Sequence, residues 1–393
     1  MKIIKNDKGN EVLVFAETFE YEAYDQIKKL SNFEAYQDAK IRVMPDAHAG
    51  KGCVVGTTMT IVDKITPNLV GVDIGCGMLC ISLKNKNIDL KALDNVIKTY
   101  VPSGFNVHRN SHANFDFSKL RCQKFIDLPR ASLSLGTLGG GNHFIELSQN
   151  ESAEKYLIIH SGSRKLGADI CKYYQDKAFK NVNEMSKIKI NLIEKLKKEG
   201  RGKEIATELK KIKKPHVDKE LAYLSGIDFD DYMNDMKIAQ EYATLNRATM
   251  ANIIMNEMNL LENSRLETIH NYIDFKRMIL RKGAVSAEKG MSLLIPINMS
   301  DGSLLCVGKG NSDWNYSAPH GAGRLMSRSQ AKKRINMKDF VRSMKGIHTT
   351  SISQSTLDEA PQAYKSMEEI VNAITDTVDI INVLKPLYNY KAH

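Results

Sequence analysis

The sequence has no Cys-x-x-Cys pair, no apolar run long enough to span a bilayer, and no internal repeat. Its six cysteines (Cys53, Cys76, Cys80, Cys122, Cys171 and Cys306) lack zinc-finger spacing, and a chain of 393 residues needs no disulfide framework. A helical span takes about 20 consecutive apolar residues, so no membrane-spanning helix is predicted and no membrane partner is expected. No signal-like segment follows Met1, so a soluble protein of the reducing cytoplasm is expected. No linker rich in Gly, Pro or Ser cuts the chain. One large domain over 1–393 is therefore expected, and the 42% hydrophobic content is ample for its core.

Positive charge is in excess, at a net +10. Lys and Arg gain by displacing counterions from a phosphate backbone, so a basic balance favours polyanionic partners. Most of the excess lies in 187–214, which holds eleven Lys/Arg against four Glu. Ile188, Leu192, Ile193 and Leu196 have helical spacing there, and Gly200-Arg201-Gly202 interrupts it. This predicts a basic helical insertion at about 183–214. It reads as a solvated hairpin, with a nucleic-acid-binding arm as the alternative.

Elsewhere the pattern is mixed. Strands are expected at 11–15, in several short runs over 41–83, and at 132–135, 143–147, 156–160 and 281–308, with an extended C-terminus at 387–391. Helices are expected at 21–30, 228–261, 324–334 and 365–384, the second with Met233, Met236, Ala239, Ala243 and Ala248 in the core. Strands and helices without βαβ alternation predict an α+β fold. Its mixed or antiparallel, sandwich-like β core would be surrounded by helices.

The chemistry-bearing residues sit in glycine-flanked loops. Pro45-Asp46-Ala47-His48-Ala49-Gly50-Lys51-Gly52 could supply an acid/base group and a phosphate clamp, or be a turn in which Asp46 caps the backbone. Gly71-Val72-Asp73-Ile74-Gly75-Cys76 sets a carboxylate three residues from a thiol. That pair suits a borderline divalent ion, or else is a buried cysteine beside an Asp turn. In Gly139-Gly140-Gly141-Asn142-His143-Phe144-Ile145-Glu146 the glycine N–H groups can form an anion nest. Asn142 and Glu146 then share one face of a strand, opposite His143. His160-Ser161-Gly162-Ser163-Arg164 ends a strand with a possible metal ligand and opens a helix with a phosphate-binding Arg. Pro319-His320-Gly321-Ala322-Gly323-Arg324 is expected to hold His320 just before a helix N-terminus, as a nucleophile or an incidental cap residue. His270, in Ile269-His270-Asn271-Tyr272, is by itself an ordinary core histidine.

Together these motifs, with Arg281-Lys282-Gly283-Ala284-Val285 and Asp358-Glu359-Ala360-Pro361-Gln362-Ala363-Tyr364-Lys365, resemble the RtcB family of RNA-splicing ligases. The resemblance runs in family order from Pro45 to Lys391. It implies joining of a 2′,3′-cyclic phosphate or 3′-phosphate RNA end to a 5′-hydroxyl end, with GTP and two manganese ions. It implies metal ligation by Asp73, Cys76, His143, His160 and His270, with the Cys76 thiolate bridging. Guanylate would be carried on His320 and contacted by Asn142, Glu146, Gly321, Ala322, Gly323 and Lys391, and Asp46 would be needed for activity. Lys51, Arg164, Lys282 and Arg324 are candidate RNA-phosphate contacts. The partners implied are RNA ends and GTP, in RNA repair or tRNA splicing; an activating protein partner has no sequence signature. In one departure, Pro296-Ile297-Asn298-Met299-Ser300 stands where relatives carry Pro-Gly-Ser-Met-Gly, so Asn298 takes the place of a guanine-holding Ser. It keeps open a metal-dependent hydrolase of cyclic-phosphate ends that does not ligate, and together with the 183–214 segment it points to a repair-type paralogue.

Overall fold

A computed structural model describes residues 1–211 and 217–392, and the side chains of all of these except 185–188. The fold is α+β. A six-stranded mixed sheet runs in the order Lys2–Lys5, Glu11–Val14, Ile41–His48, Val55–Thr60, Ile279–Lys282 and Asn271–Asp274. A seven-stranded antiparallel sheet runs Glu262–Ile269, Gly77–Leu83, Lys155–Ser161, Phe144–Gln149, Val378–Lys391, Gly302–Gly308 and Ser292–Asn298. Alternation along its strands sends Leu79, Ile81, Ile145, Leu147, Leu157 and Ile159 to one face, where they pack on Leu93 and Ile97 and on Met250 and Ile254. Met78, Cys80, Phe144 and Ile158 occupy the other face, against Leu294 and Leu384.

Of the long helices, Ile227–Glu257 matters most for the site. Met236, Ala239 and Ala243 are buried as expected, while Met233 and Ala248 are only partly so. The helix stops before 261 because Asn259 turns into the left-handed region and Glu262 begins a strand. The basic segment expected as an insertion forms helices Met185–Lys198 and Ile205–Lys211 broken where Gly200 to Gly202 lie, with Leu196 buried. Residues 212–214 of that segment, and the Ile188 side chain, lie outside the described residues.

Three expectations fail. The 132–135 strand is the end of a helix, Leu128–Ser134, because Asp127 caps it by accepting from the Arg130 N–H and Pro129 pre-sets its first turn. The helix expected at 324–334 is only Arg328–Arg334, started by a capping box between Ser327 and Gln330. The helix expected at 365–384 is only Met367–Ala373. Beyond it the β-branched run Val378, Ile380, Ile381 and Val383 enters a 14-residue strand, Val378–Lys391, inside the seven-stranded sheet. Pro386 is tolerated there because the register shifts beside it.

Candidate active site

Strand register gathers four separate segments at one end of the seven-stranded sheet. Gly77 pairs with Ser161 and with Ile269, and His160 pairs with Met78 and with Phe144. The side chains at or next to these positions, Cys76, His143, His160 and His270, therefore converge. Asp73 joins them because Gly162 leaves room: a Cβ there would run into the Asp73 carboxylate.

The donor atoms form two sets, Asp73/Cys76/His143 and Cys76/His160/His270, each lying within 4.8 Å, with the Cys76 Sγ common to both. His143 Nε2 is 2.9 Å from Asp73 Oδ2 and 3.5 Å from Cys76 Sγ. His160 Nε2 is 3.2 Å from Cys76 Sγ and 3.2 Å from His270 Nε2. The Nδ1 atoms of His143 and His160 face the Leu138 and Asn142 carbonyls at 2.8 and 3.2 Å. Those carbonyls accept Nδ1–H, which leaves each Nε2 lone pair aimed inward. Burial, and after it the neighbouring imidazoles, pushes His160 and His270 well below their ordinary range, so both rings are neutral. Burial and the Asp73 charge push the Cys76 thiol up, so a thiolate there needs a cation beside it. Inward-facing lone pairs at such short separations fit divalent metal, and the S/N/O donor set suits a borderline ion.

Two residues that the sequence did not single out hold these loops. The buried Asn246 side chain accepts from the Gly136 and Thr137 N–H groups and donates to the Thr137 and Gly162 carbonyls. The fully buried Arg247 donates to the Gly75 and Ser161 carbonyls at 2.7 and 2.6 Å. One helix thus clamps the backbones that carry Cys76, His143 and His160.

His320 lies beyond the metal cluster, its ring centroid 4.9 Å from that of His270. It follows a three-residue strand, Ser317–Pro319, and is separated from the next helix by residues 321–327, so it does not sit at a helix N-terminus as expected. The buried Asp46 holds it instead: Oδ2 accepts from His320 Nδ1 at 2.6 Å and from its backbone N–H at 3.1 Å. Gly323, at φ +76°, packs its Cα on the Asp46 backbone, where a Cβ would collide. Lys365, also buried, donates to the Pro45 carbonyl and fixes the same loop.

A cavity of about 320 Å³ joins these parts. Asp73, Cys76, His160, His270 and His320 line it, and His143 touches Asp73 and Cys76. Asn142, Glu146, Lys391 and the Gly321-Ala322-Gly323 segment form other walls. Asn298 lines it too, but its Oδ1 closes a turn by accepting from the Ser300 and Asp301 N–H groups, and its Nδ2 donates to Asp301. Glu146 accepts from Ser148 and Asn389, yet burial still pushes it up to about 7. Of the candidate phosphate contacts, Lys282 and Arg324 line the cavity. Lys51 is exposed outside it, and the Arg164 guanidinium lies against Gly139, bonded to Thr137 and the Gly104 carbonyl. Sequence reasoning also missed Glu359. Burial would raise it, but the Lys391 and Arg328 charges and bonds from Tyr364 and Lys391 hold it below its ordinary range. Its signal was the acidic pair Asp358-Glu359 at the head of the segment 358–365.

Comparison with known proteins gives one consistent answer. A family model described as "tRNA-splicing ligase RtcB" matches residues 26–127 and 126–392. The RNA-splicing ligase RtcB of Escherichia coli K12 is 31% identical over 388 aligned residues, covering 88% of each chain. An RNA-splicing ligase RtcB2 from a second Escherichia coli strain is 28% identical over 94% of this chain and 92% of its own. The tRNA-splicing ligase RtcB of Nanoarchaeum equitans is 26% identical over 84% and 83%.

Proposed function

This chain belongs to the RtcB family of tRNA-splicing ligases, and on that premise we propose that it is a cytoplasmic RNA ligase that uses GTP and two manganese ions. It would join a 2′,3′-cyclic phosphate or 3′-phosphate RNA end to a 5′-hydroxyl end, in RNA repair or tRNA splicing. Among the described residues no helix is long and apolar enough to cross a membrane. The observation that carries the reading is that the Asp46–His320 pair and the Cys76-centred donor cluster open onto one cavity.

The chemistry follows from the tautomer. Asp46 accepts the Nδ1 proton of His320, so Nε2 keeps its lone pair. Nε2 attacks the α-phosphorus of GTP and expels pyrophosphate, leaving guanylate on His320. The RNA 3′-phosphate then takes the guanylate, and the 5′-hydroxyl displaces GMP as the phosphodiester forms. A cyclic phosphate end is first hydrolysed to a 3′-phosphate. Metal held by Asp73, Cys76 and His143, and by Cys76, His160 and His270, would stabilise charge on attacking and leaving oxygens. Glu146, once ionised, accepts from the N1 and N2 donors of guanine, which adenine cannot match. Lys391, Lys282 and Arg324 present cations to the phosphates, and Glu359 holds Lys391 in place at 2.9 Å.

Incubation with α-labelled GTP and manganese should label the protein, and His320→Ala should abolish the label. If the wild-type chain never labels but opens RNA cyclic phosphates without GTP, the hydrolase reading replaces this one.

A further inference from the structure

The least explained side chain near the site is Phe105. The residue is 95% exposed, yet the loop that carries it, 102–106, is held by several hydrogen bonds. The Leu138 N–H donates to the Pro102 carbonyl and the Gly104 N–H to the Gly139 carbonyl, at 2.9 and 2.7 Å. Arg164 donates to the Gly104 carbonyl at 3.0 Å and Arg130 to the Phe105 carbonyl at 2.7 Å. A rigid backbone that presents a bare phenyl ring to water buries nothing with it, so the ring contributes nothing to this fold through packing.

Its position relates it to the cavity. Gly104 and Gly139 are hydrogen-bonded partners, and Gly139 opens the run that continues through Gly141 to Asn142 and His143. The Arg164 guanidinium, bonded to Gly104, lies against Gly139 on one side of this run. On the other side Arg328, which lines the cavity, reaches towards Gly141. Phe105 therefore follows the residue bonded to the first of three glycines that lead to Asn142 and His143, with Arg164 against Gly139 and Arg328, which also pairs with Asp358 and Glu359, near Gly141. Exposed aromatic rings beside guanidinium groups are how proteins hold unpaired nucleotides: bases stack on the ring and phosphates meet the cations.

We propose that Phe105 is a stacking platform for an unpaired base of the RNA strand whose 3′-phosphate enters the cavity. The proposal rests on the ligase reading for the identity of that strand. Stacking on a phenyl face reads no hydrogen bonds, so the subsite tolerates any base.

The test uses the full-length protein, manganese, and a fluorescent single-stranded RNA ending in a 3′-phosphate. Base stacking of this kind sets the expectation that Phe105→Ala weakens binding about tenfold and that Phe105→Trp restores it. Abasic substitution of the nucleotides near the 3′-phosphate, one at a time, should find one position that costs the wild type the same loss and costs Phe105→Ala nothing further. Labelling of His320 by GTP should be unchanged in Phe105→Ala, since guanylate transfer to the protein needs no RNA. Equal RNA affinity in wild type and Phe105→Ala overturns the proposal, as does a penalty that persists whichever nucleotide is abasic. If the wild type fails to label with GTP, the ligase reading falls, while the binding comparison still decides Phe105.

Discussion

The Asp46 carboxylate oxygen Oδ2 serves both nitrogens that matter on His320, the ring Nδ1 at 2.6 Å and the backbone N–H at 3.1 Å. A single buried atom therefore sets the tautomer of the imidazole and anchors the peptide that carries it. The bond to Nδ1 also stabilises positive charge as the ring takes up guanylate.

Asp46→Asn keeps the shape of this contact but can present an amide N–H to Nδ1, which favours the tautomer with its proton on Nε2. The rate of GTP-dependent labelling should fall by about 10²- to 10⁴-fold, the range spanned by oriented acid–base groups. Circular dichroism and metal content should stay at wild-type levels. An Asn variant that labels at the wild-type rate would remove Asp46 from the chemistry.

Because the Cys76 Sγ belongs to both donor sets, ligand substitutions should not be equivalent. Titration with manganese, followed calorimetrically, should find two ions in the wild type. Asp73→Asn and His270→Ala should each weaken one site and spare the other. Cys76→Ala should weaken both. Two undiminished sites in Cys76→Ala would show that the thiolate does not bridge.

Much of this was legible beforehand, and the reason is local. Asp73, Cys76, His143 and His160 lie in or beside glycine-rich turns at strand ends, where short-range sequence marks the turn, while the metal-ligand role proposed for them comes from the family resemblance. The helix expected behind His320 was misread because 317–328 has no apolar periodicity, and its conformation is set by distant partners: Asp46 for His320, Tyr364 and Asp358 for Arg324. Asn246 and Arg247 were invisible for a related reason. Inside a helix they look like solvated polar residues, and only the fold brings glycine loops more than 80 residues away in sequence onto them. Part of the strand Val378–Lys391 reads as helix in the sequence because its pairing partners, Phe144–Gln149 and Gly302–Gly308, are equally remote.

That clamp has a measurable weight. Arg247→Met leaves the Gly75 and Ser161 carbonyls and the Glu267 carboxylate without their guanidinium partner. Breaking a buried charged pair costs about 3–5 kcal/mol, and the partial exposure of Glu267 argues for the lower end. The melting temperature should drop accordingly. Manganese affinity should fall as well, by roughly 10- to 100-fold, as when outer groups that orient metal ligands are removed. A variant that melts lower but binds manganese normally would confine Arg247 to a purely structural role.

Glu146 carries the pH dependence. Burial raises it from its ordinary 4.5 to about 7, so the folded state holds this proton more tightly than the unfolded chain does. Its contribution to stability is complete below 4.5 and is lost as pH rises through about 7, where the buried carboxylate must ionise. Glu146→Gln removes that cost. The variant should melt above wild type at alkaline pH, and the difference should vanish in acid. Its labelling by GTP should nonetheless fall, because an amide offers one acceptor where guanine presents N1 and N2 donors. Equal labelling by wild type and Glu146→Gln would separate this carboxylate from the base.

The basic helical segment at 185–211 makes the opposite kind of prediction. Lys195, Lys197 and Lys198 are exposed on the helix Met185–Lys198, while Arg201 spends its guanidinium on Glu199 and Glu204, and Lys211 pairs with Glu208. The pairing of Arg201 and Lys211 with neighbouring carboxylates favours a solvated face over an RNA-binding one for this segment. Replacing Lys195, Lys197 and Lys198 by Gln should therefore leave RNA affinity within about twofold of wild type at moderate salt. The slope of log affinity against log salt is the sharper measure, because each lysine that meets a phosphate of a single strand contributes about 0.7 to it. An unchanged slope is expected. A slope reduced by roughly 2 would mean that all three lysines contact RNA, and the segment would then be an arm that extends the binding surface well beyond the cavity.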